Sequence, residues 1–234
     1  MRYDKLKSAA YDANKELARA GLVVMTFGNV SAADRAAGVF AIKPSGADYD
    51  TLKPEDMVVV SLDTGRVVDG TLRPSSDTPT HLALYRAFES VGGIVHTHSR
   101  YATAWAQSGR EIPCLGTTHA DHFRGSIPLT RRLAPGEVGG AYEENTGRVI
   151  VERFSAGALR PDEMPGVLVA SHGPFAWGPD AKAAVENAVL LEEVARMAFL
   201  TMLLDPSVGE IERALLDKHF LRKHGPGAYY GQKS

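Results

Sequence analysis

A lone cysteine among 234 residues leaves Cys114 without an internal disulfide partner. The chain therefore suits a reducing compartment, and Cys114, in EIPCL, reads as a small buried filler. Long apolar runs are also missing: nothing approaches the roughly 20 residues of a membrane span. The opening MRYDKLKSAAYDANKELARAG scatters charges where a signal peptide needs an unbroken apolar stretch. The expectation is a cytoplasmic protein with no membrane partner. Neither sign of charge dominates, since 26 Lys and Arg face 28 Asp and Glu, for a net charge of -2 and a pI near 6.4. That balance offers no broad positive field to nucleic acid. Repeats, low-complexity tracts and linkers are absent, and no GxGxxG fingerprint follows a strand, so no NAD is expected. A composition 44% hydrophobic and 23% charged is ordinary for one soluble domain with a sizeable core, whose partner is a small molecule.

Periodicity places the elements. Leu6, Ala10, Ala13 and Leu17 recur at helical spacing and Gly21 follows, which predicts a helix over 3–20. The β-branched runs LVVMTF (22–27), VFAIK (39–43) and MVVVSL (57–62) read as strands, with DTG at 63–65 a hairpin turn into RVV. TPTHLALYRAF has polar capping candidates and an early proline before apolar residues of helical period. GGIVHTHS then reads as a strand, and Ser99 as a cap for the helix YATAWAQ. Residues 137–157 fit strand or helix, and helix is favoured through Tyr142, Thr146, Val149 and Arg153. PGVLVASHGPFAWG reads as strand, turn and strand. A long helix spans 181–204, with Leu190, Val194, Met197, Thr201 and Leu204 as its apolar stripe, and a last helix spans about 210–223. This order predicts one α/β domain over 1–234, with a largely antiparallel central sheet covered by helices.

Successive strand side chains alternate faces, so His96 and His98 point one way and Thr97 the other. Two such imidazoles can bond ordinary neighbours or share an ion. His172, ending the run VLVAS before a Gly-Pro turn, would come to the rim of a sheet as a third nitrogen and complete the protein half of an open catalytic site. Three imidazoles favour a borderline ion, zinc, manganese or cobalt, over magnesium. Asp77, in SSDTPTH, can add a carboxylate to such a site or cap the helix after it; His81 reads as structural. Three turns, GNVS (28–31), KPSG (43–46) and PSSD (74–77), pair small polar residues with backbone freedom and can direct N–H groups at an anion, with Lys43 adding charge. Each alone is also an ordinary turn.

GNVS, KPSG, SSDTPTH, GGIVHTHS, GTTHADHF, MPGVLVASHGPFAWG and KHFLRKHGPGAYYGQ, in this order, resemble the L-ribulose-5-phosphate 4-epimerase family of the class II sugar-phosphate aldolase and epimerase superfamily, from near residue 5 onward. The resemblance implies a divalent metal, usually zinc, on His96, His98 and His172 with Asp77 at the same site. It implies phosphate contacts from Gly28, Asn29, Ser45, Gly46, Ser75 and Ser76, with Lys43 nearby, and an acid/base pair of Asp121 and Tyr230. His119, His122, His219 and Arg222 are further candidates around the site, Arg222 as a phosphate steering group. Relatives form a cyclic tetramer with sites between subunits, and here the tail from about 225 to 234 would carry Tyr230 to a neighbour. Fuculose-phosphate-type aldolases place a glutamate where this chain has Asp77 and lack a close match to HADHF.

The implied chemistry explains these residue types. Inversion at C4 of a 2-ketose cannot proceed by simple enolisation, because the C4 hydrogen is not next to the carbonyl. Cleaving C3–C4 leaves an enediolate that a bound cation can stabilise, and rotation of glycolaldehyde phosphate before the bond reforms inverts C4. Two proton-transfer groups serve the two faces. A sugar-phosphate aldolase, or a homologue that binds metal without turnover, would share much of this set.

Overall fold

The computed structural model describes residues 2–229. In chain order the elements are α1 (Asp4–Arg19), β1 (Asn29–Asp34), β2 (Val39–Ile42), a 3-10 turn (Pro54–Asp56), β3 (Val58–Ser61), β4 (Val67–Asp69), α2 (Thr78–Ala87), β5 (Gly93–His96), α3 (Arg100–Ser108), α4 (Thr117–Ala120), α5 (Pro135–Val138), α6 (Tyr142–Ala156), β6 (Gly166–Leu168), β7 (Pro174–Gly178), α7 (Ala181–Leu204) and α8 (Arg213–His224). The strands form one sheet in the order β4-β3-β2-β1-β5-β7-β6, antiparallel throughout.

Register sorts the residues of the central strands onto two faces. Ala32, Gly93 and Gly178 lie in one row across β1, β5 and β7, and Val30, Val95 and Ala176 in another. That face meets α7 so closely that a Cβ on Gly93 would lie 2.4 Å from the Ala181 Cα, and one on Gly178 2.8 Å from the Ala183 Cβ. Glycine is required there by space, and a side chain would lift the helix from the sheet. On the opposite face Trp177 packs against Phe88 after α2 and Phe154 of α6, with ring centroids 5.3 and 5.1 Å apart. Ser31 of β1 bonds His81 Nδ1 and Tyr85 Oη of α2, each at 2.7 Å. Helices thus cover both faces, and the row Asn29, His96, Phe175 lies where β1 begins, β5 ends and β7 begins, at one edge of the α2 and α6 side.

Three expectations fail for definable reasons. The run 22–27 forms no strand: Val24, Met25 and Phe27 are 54, 80 and 55% exposed. Two of its carbonyls are held by side chains instead, Thr26 O by Lys43 Nζ at 3.2 Å and Phe27 O by Tyr49 Oη at 3.4 Å. The central strand is NVSAAD, whose small and polar residues carry no β-signal; Asn14 of α1 bonds both backbone groups of Val30 at 2.9 Å. In α7 the buried stripe is built on Ala181, Ala184, Val185, Ala188, Leu191, Val194, Ala195 and Ala198, whereas Met197 is 42% and Leu204 89% exposed. Alanines let α7 approach the row of Gly93 and Gly178, and Met197 and Leu204 are left outward. The ambiguous 137–157 segment holds α6 and the end of α5, α4 and the 3-10 turn had no counterpart in the sequence reading, and the other elements fall within a few residues of their expected positions.

Candidate metal centre and substrate cavity

His96 ends β5, where Nδ1 donates to Pro174 O at 3.0 Å and the ring stacks on Phe175 at 4.2 Å. With Nδ1 protonated, Nε2 keeps its lone pair, and it faces His98 Nε2 at 3.1 Å. His98 lies two residues on, past the strand end, flanked by Phe27 at 6.0 Å between ring centroids. His172 comes from the β6–β7 turn, where His172 N bonds Val169 O and Val169 N bonds Gly173 O. Ser171, just before it, takes the left-handed φ of 62°. Its ring centroid sits 4.7 Å from that of His96 and 5.0 Å from that of His98. One ligand nitrogen from each of the three lies within 4.8 Å of the others, the one such group of metal-binding side chains among the described residues.

Protonation favours the same reading. Burial, followed by the neighbouring charge of His96, lowers His98, and burial with His96 and His98 pushes His172 down to about 3. Neutral rings offer lone pairs, and two nitrogens 3.1 Å apart need a proton or an ion between them. A three-imidazole donor set suits zinc or a similar borderline ion.

Asp77 stands at the first position before α2, where a capping role was one expectation. Its carboxylate makes no capping bond and receives Asn29 Nδ2 at 2.7 Å. Burial raises its pKa, yet His96, His81, Asn29 and His172 together hold it below the usual carboxylate value. His81 is fully buried beneath, on Ser31, as a structural histidine.

The trio and Asp77 form one wall of a cavity of about 390 Å³ also lined by Gly28, Asn29, Lys43, Ser45, Gly46, Ser75 and Ser76. The four metal candidates and the phosphate candidates of the three turns thus meet in one place, whereas Arg222 does not line it. Two turns are locked together: Pro44 bridges Pro74, Ser45 N bonds Arg73 O, and Ser75 N bonds Lys43 O, all at 3.0 Å for the two hydrogen bonds. Gly28 has φ 86°, and a Cβ there would lie 3.0 Å from both His96 O and Val23 Cγ1. Lys43 is 1% exposed; burial, countered by Asp48, lowers its pKa to about 8. Thr26, Phe27, Tyr142 and Glu143 also line this cavity. Sequence reading missed them, and only the polar break in the 137–157 pattern could have drawn attention to Tyr142 and Glu143. A wider groove of about 860 Å³ between α1 and α7 contains no histidine in its lining.

Asp121, His219 and Arg222 form a second cluster, between α4 and α8, and none of them lines the cavity. Asp121 Oδ2 receives Arg222 Nη2 at 2.7 Å, and Oδ1 receives Arg222 Nε at 3.1 Å and His219 Nδ1 at 2.9 Å. Burial alone would raise the Asp121 pKa, but these bonds and Lys223 hold it low. His119 donates Nε2–H to Gly125 O at 2.8 Å, and His122 accepts from Lys223 at 3.2 Å. Burial lowers each to about 4. Tyr230 lies outside the described residues.

An antiparallel sheet between helices, with three imidazoles at its edge, defines a class II aldolase-type protein. The chain belongs to that family: the family described as Class II Aldolase and Adducin N-terminal domain matches residues 8–199. It is 59% identical over 229 residues to the L-ribulose-5-phosphate 4-epimerase UlaF of Salmonella paratyphi B, covering 98% of this chain and 99% of the other, and equally to that of Salmonella typhi. Among solved structures, an L-fuculose 1-phosphate aldolase matches with a TM-score of 0.76 at 24% identity, over 92% of this chain and 94% of that one. YgbL of Escherichia coli, a putative aldolase/epimerase/decarboxylase, matches at 0.72 and 23%, over 93% and 99%. These structural likenesses show the fold. Among the described residues no helix is long and apolar enough to cross a membrane.

Proposed function

We propose that the protein is a metal-dependent epimerase that interconverts L-ribulose 5-phosphate and D-xylulose 5-phosphate. The observation that carries this reading is the convergence of His96, His98 and His172 on one wall of a cavity whose other wall is made of small hydroxyl and glycine turns beside Lys43. Near-full-length identity of 59% with proteins named for this activity supports the substrate. The three imidazoles, with Asp77 beside them, would hold the ion, zinc by donor chemistry. When bound, it supplies positive charge to stabilise the oxyanion of the ketone fragment left by C3–C4 cleavage.

The chain's own groups do the rest. Because the N–H groups of Ser45 and Ser75 serve the bridge between their turns, a phosphate there meets hydroxyls and the N–H groups of Gly46 and Ser76. Ser75 Oγ accepts from Asn29 Nδ2 at 3.2 Å and Asp77 N at 3.3 Å, so its proton is free to be donated. Lys43 adds a cation. Holding the aldehyde phosphate through cleavage, rotation and recombination separates an epimerase from an aldolase. Asp121, ionised, and Tyr230 serve as the acid/base pair that moves the C4 oxygen's proton on the two faces.

Within one chain Asp121 does not line the cavity, and this supports a site shared between copies, with the family's tetramer as the assembly. The exposed Phe199, Leu200, Leu203 and Leu204 of α7 supply apolar area for such association. A coupled assay on purified metal-replete protein without NAD is expected to show D-xylulose 5-phosphate forming from L-ribulose 5-phosphate. Absence of conversion, or release of free fragments as fast as epimerisation, would overturn the assignment.

A further inference from the structure

The three imidazoles are not secured alike. His96 has a backbone carbonyl on Nδ1 and an aromatic ring beneath it. His172 sits on a strained turn, and among the described residues the hydrogen-bond partner of its ring is Tyr142 Oη, 3.4 Å from Nδ1. The Tyr142 ring lies 6.1 Å from that of His172, tilted by 36°, and lines the same cavity.

The geometry points to Tyr142 as the positioning residue for the third metal ligand: its phenol oxygen accepts the Nδ1 proton of His172, which fixes the ring's orientation and turns the Nε2 lone pair toward His96 and His98. This inference rests on the metal-centre reading above. Histidine ligands generally need such an outer partner, since it sets both tautomer and ring plane. For His96 the partner is Pro174 O, and Tyr142 supplies to His172 what that carbonyl supplies to its neighbour.

Tyr142 is itself held. It opens α6, and Thr146 Oγ1 bonds its carbonyl at 2.9 Å. The next carbonyl, that of Glu143, receives Thr80 Oγ1 of α2 at 2.5 Å. One turn further, Gly147 lies so near α2 that an added Cβ would be 2.6 Å from the Ala83 Cβ. The first turn of α6 is thereby keyed to the helix that follows Asp77, and Tyr142 spans from that packed pair to the β6–β7 turn.

Tyr142→Phe removes one oxygen and keeps the ring. Chelator competition with Zn2+ on the full-length protein, without substrate, is expected to show affinity about 10–100-fold weaker than wild type, with the melting of the metal-free protein unchanged. In the wild-type metal-free protein at neutral pH, 15N shifts are expected to report His172 as the Nδ1–H tautomer. Equal Zn2+ affinity in the variant, or an Nε2–H tautomer in the wild type, overturns the assignment while leaving the metal centre intact. A wild-type protein that binds no Zn2+ in the same titration removes the metal centre and this inference together.

Discussion

Lys43 shows how burial tunes a single side chain. An ammonium that is 1% exposed and contacts Thr26 O and the Tyr49 ring loses hydration, and its pKa falls to about 8. It is therefore charged below pH 8 and neutral above. In the proposed reaction kcat/KM should fall as pH rises through about 8, and Lys43→Met should lack that limb while raising KM about 10–100-fold, the loss of one charged hydrogen bond of roughly 1.5–3 kcal/mol. A wild-type profile flat across that range would remove Lys43 from phosphate binding. At this scale the sequence was highly legible, because HxH spacing in a strand directly states a shared direction. The roles of Tyr142 and Glu143 were not, because what matters for them is the seating of α6 on α2, which no local pattern encodes.

Among the elements, the β6–β7 turn carries the most constraint. Ser171 at φ 62° pays a left-handed penalty of about 1–2 kcal/mol. Ser171→Gly should leave the denaturation midpoint equal or slightly higher, whereas Ser171→Val should lower stability by about 1–2 kcal/mol and weaken metal retention through His172. Urea titration with metal analysis checks both, and a stable Val variant with full metal would show that the turn does not constrain the ligand. Strand assignment failed at LVVMTF and at NVSAAD for one underlying reason. β-branched residues mark a strand only when neighbouring strands take their backbone groups, and here Lys43 and Tyr49 take the Thr26 and Phe27 carbonyls of the first run while β2 and β5 pair with the second. Local composition cannot reveal which segment neighbours will pair with. The longer helices were placed well because their period is internal to each segment, while the four-residue α4 and α5 are too short to show one. The error in α7 was one of face, as five alanines pack inward with Val185, Leu191 and Val194 while Met197 and Leu204 point outward.

For the whole molecule, the two clusters give a direct test of shared sites. A chain with His98→Asn and a chain with Asp121→Asn should each be nearly inactive, and refolding them together should restore a fraction of wild-type turnover. Mixed assemblies without activity would place the full site in one subunit. Stability should also respond to acid. Burial lowers His81 to about 3 and His119 to about 4, below the usual 6.5, so the unfolded chain binds protons that the folded one refuses. Stability is complete above about pH 6.5 and falls as pH drops, by up to roughly 1.4 kcal/mol per pH unit for each group. Urea midpoints of the metal-free protein between pH 7 and 4 measure this, and a level profile would contradict it.

The bare glycine rows under α7 also bear on motion. With Gly93 and Gly178 in direct contact with the start of that helix, the strands bearing His96 and Phe175 have no slack in which to open by themselves. Amide protons of residues 94–96 and 176–177 should therefore exchange with deuterium at the same slow rate as the inner turns of α7, as one cooperative unit. Faster exchange in the strands alone would show that they breathe beneath a stationary helix.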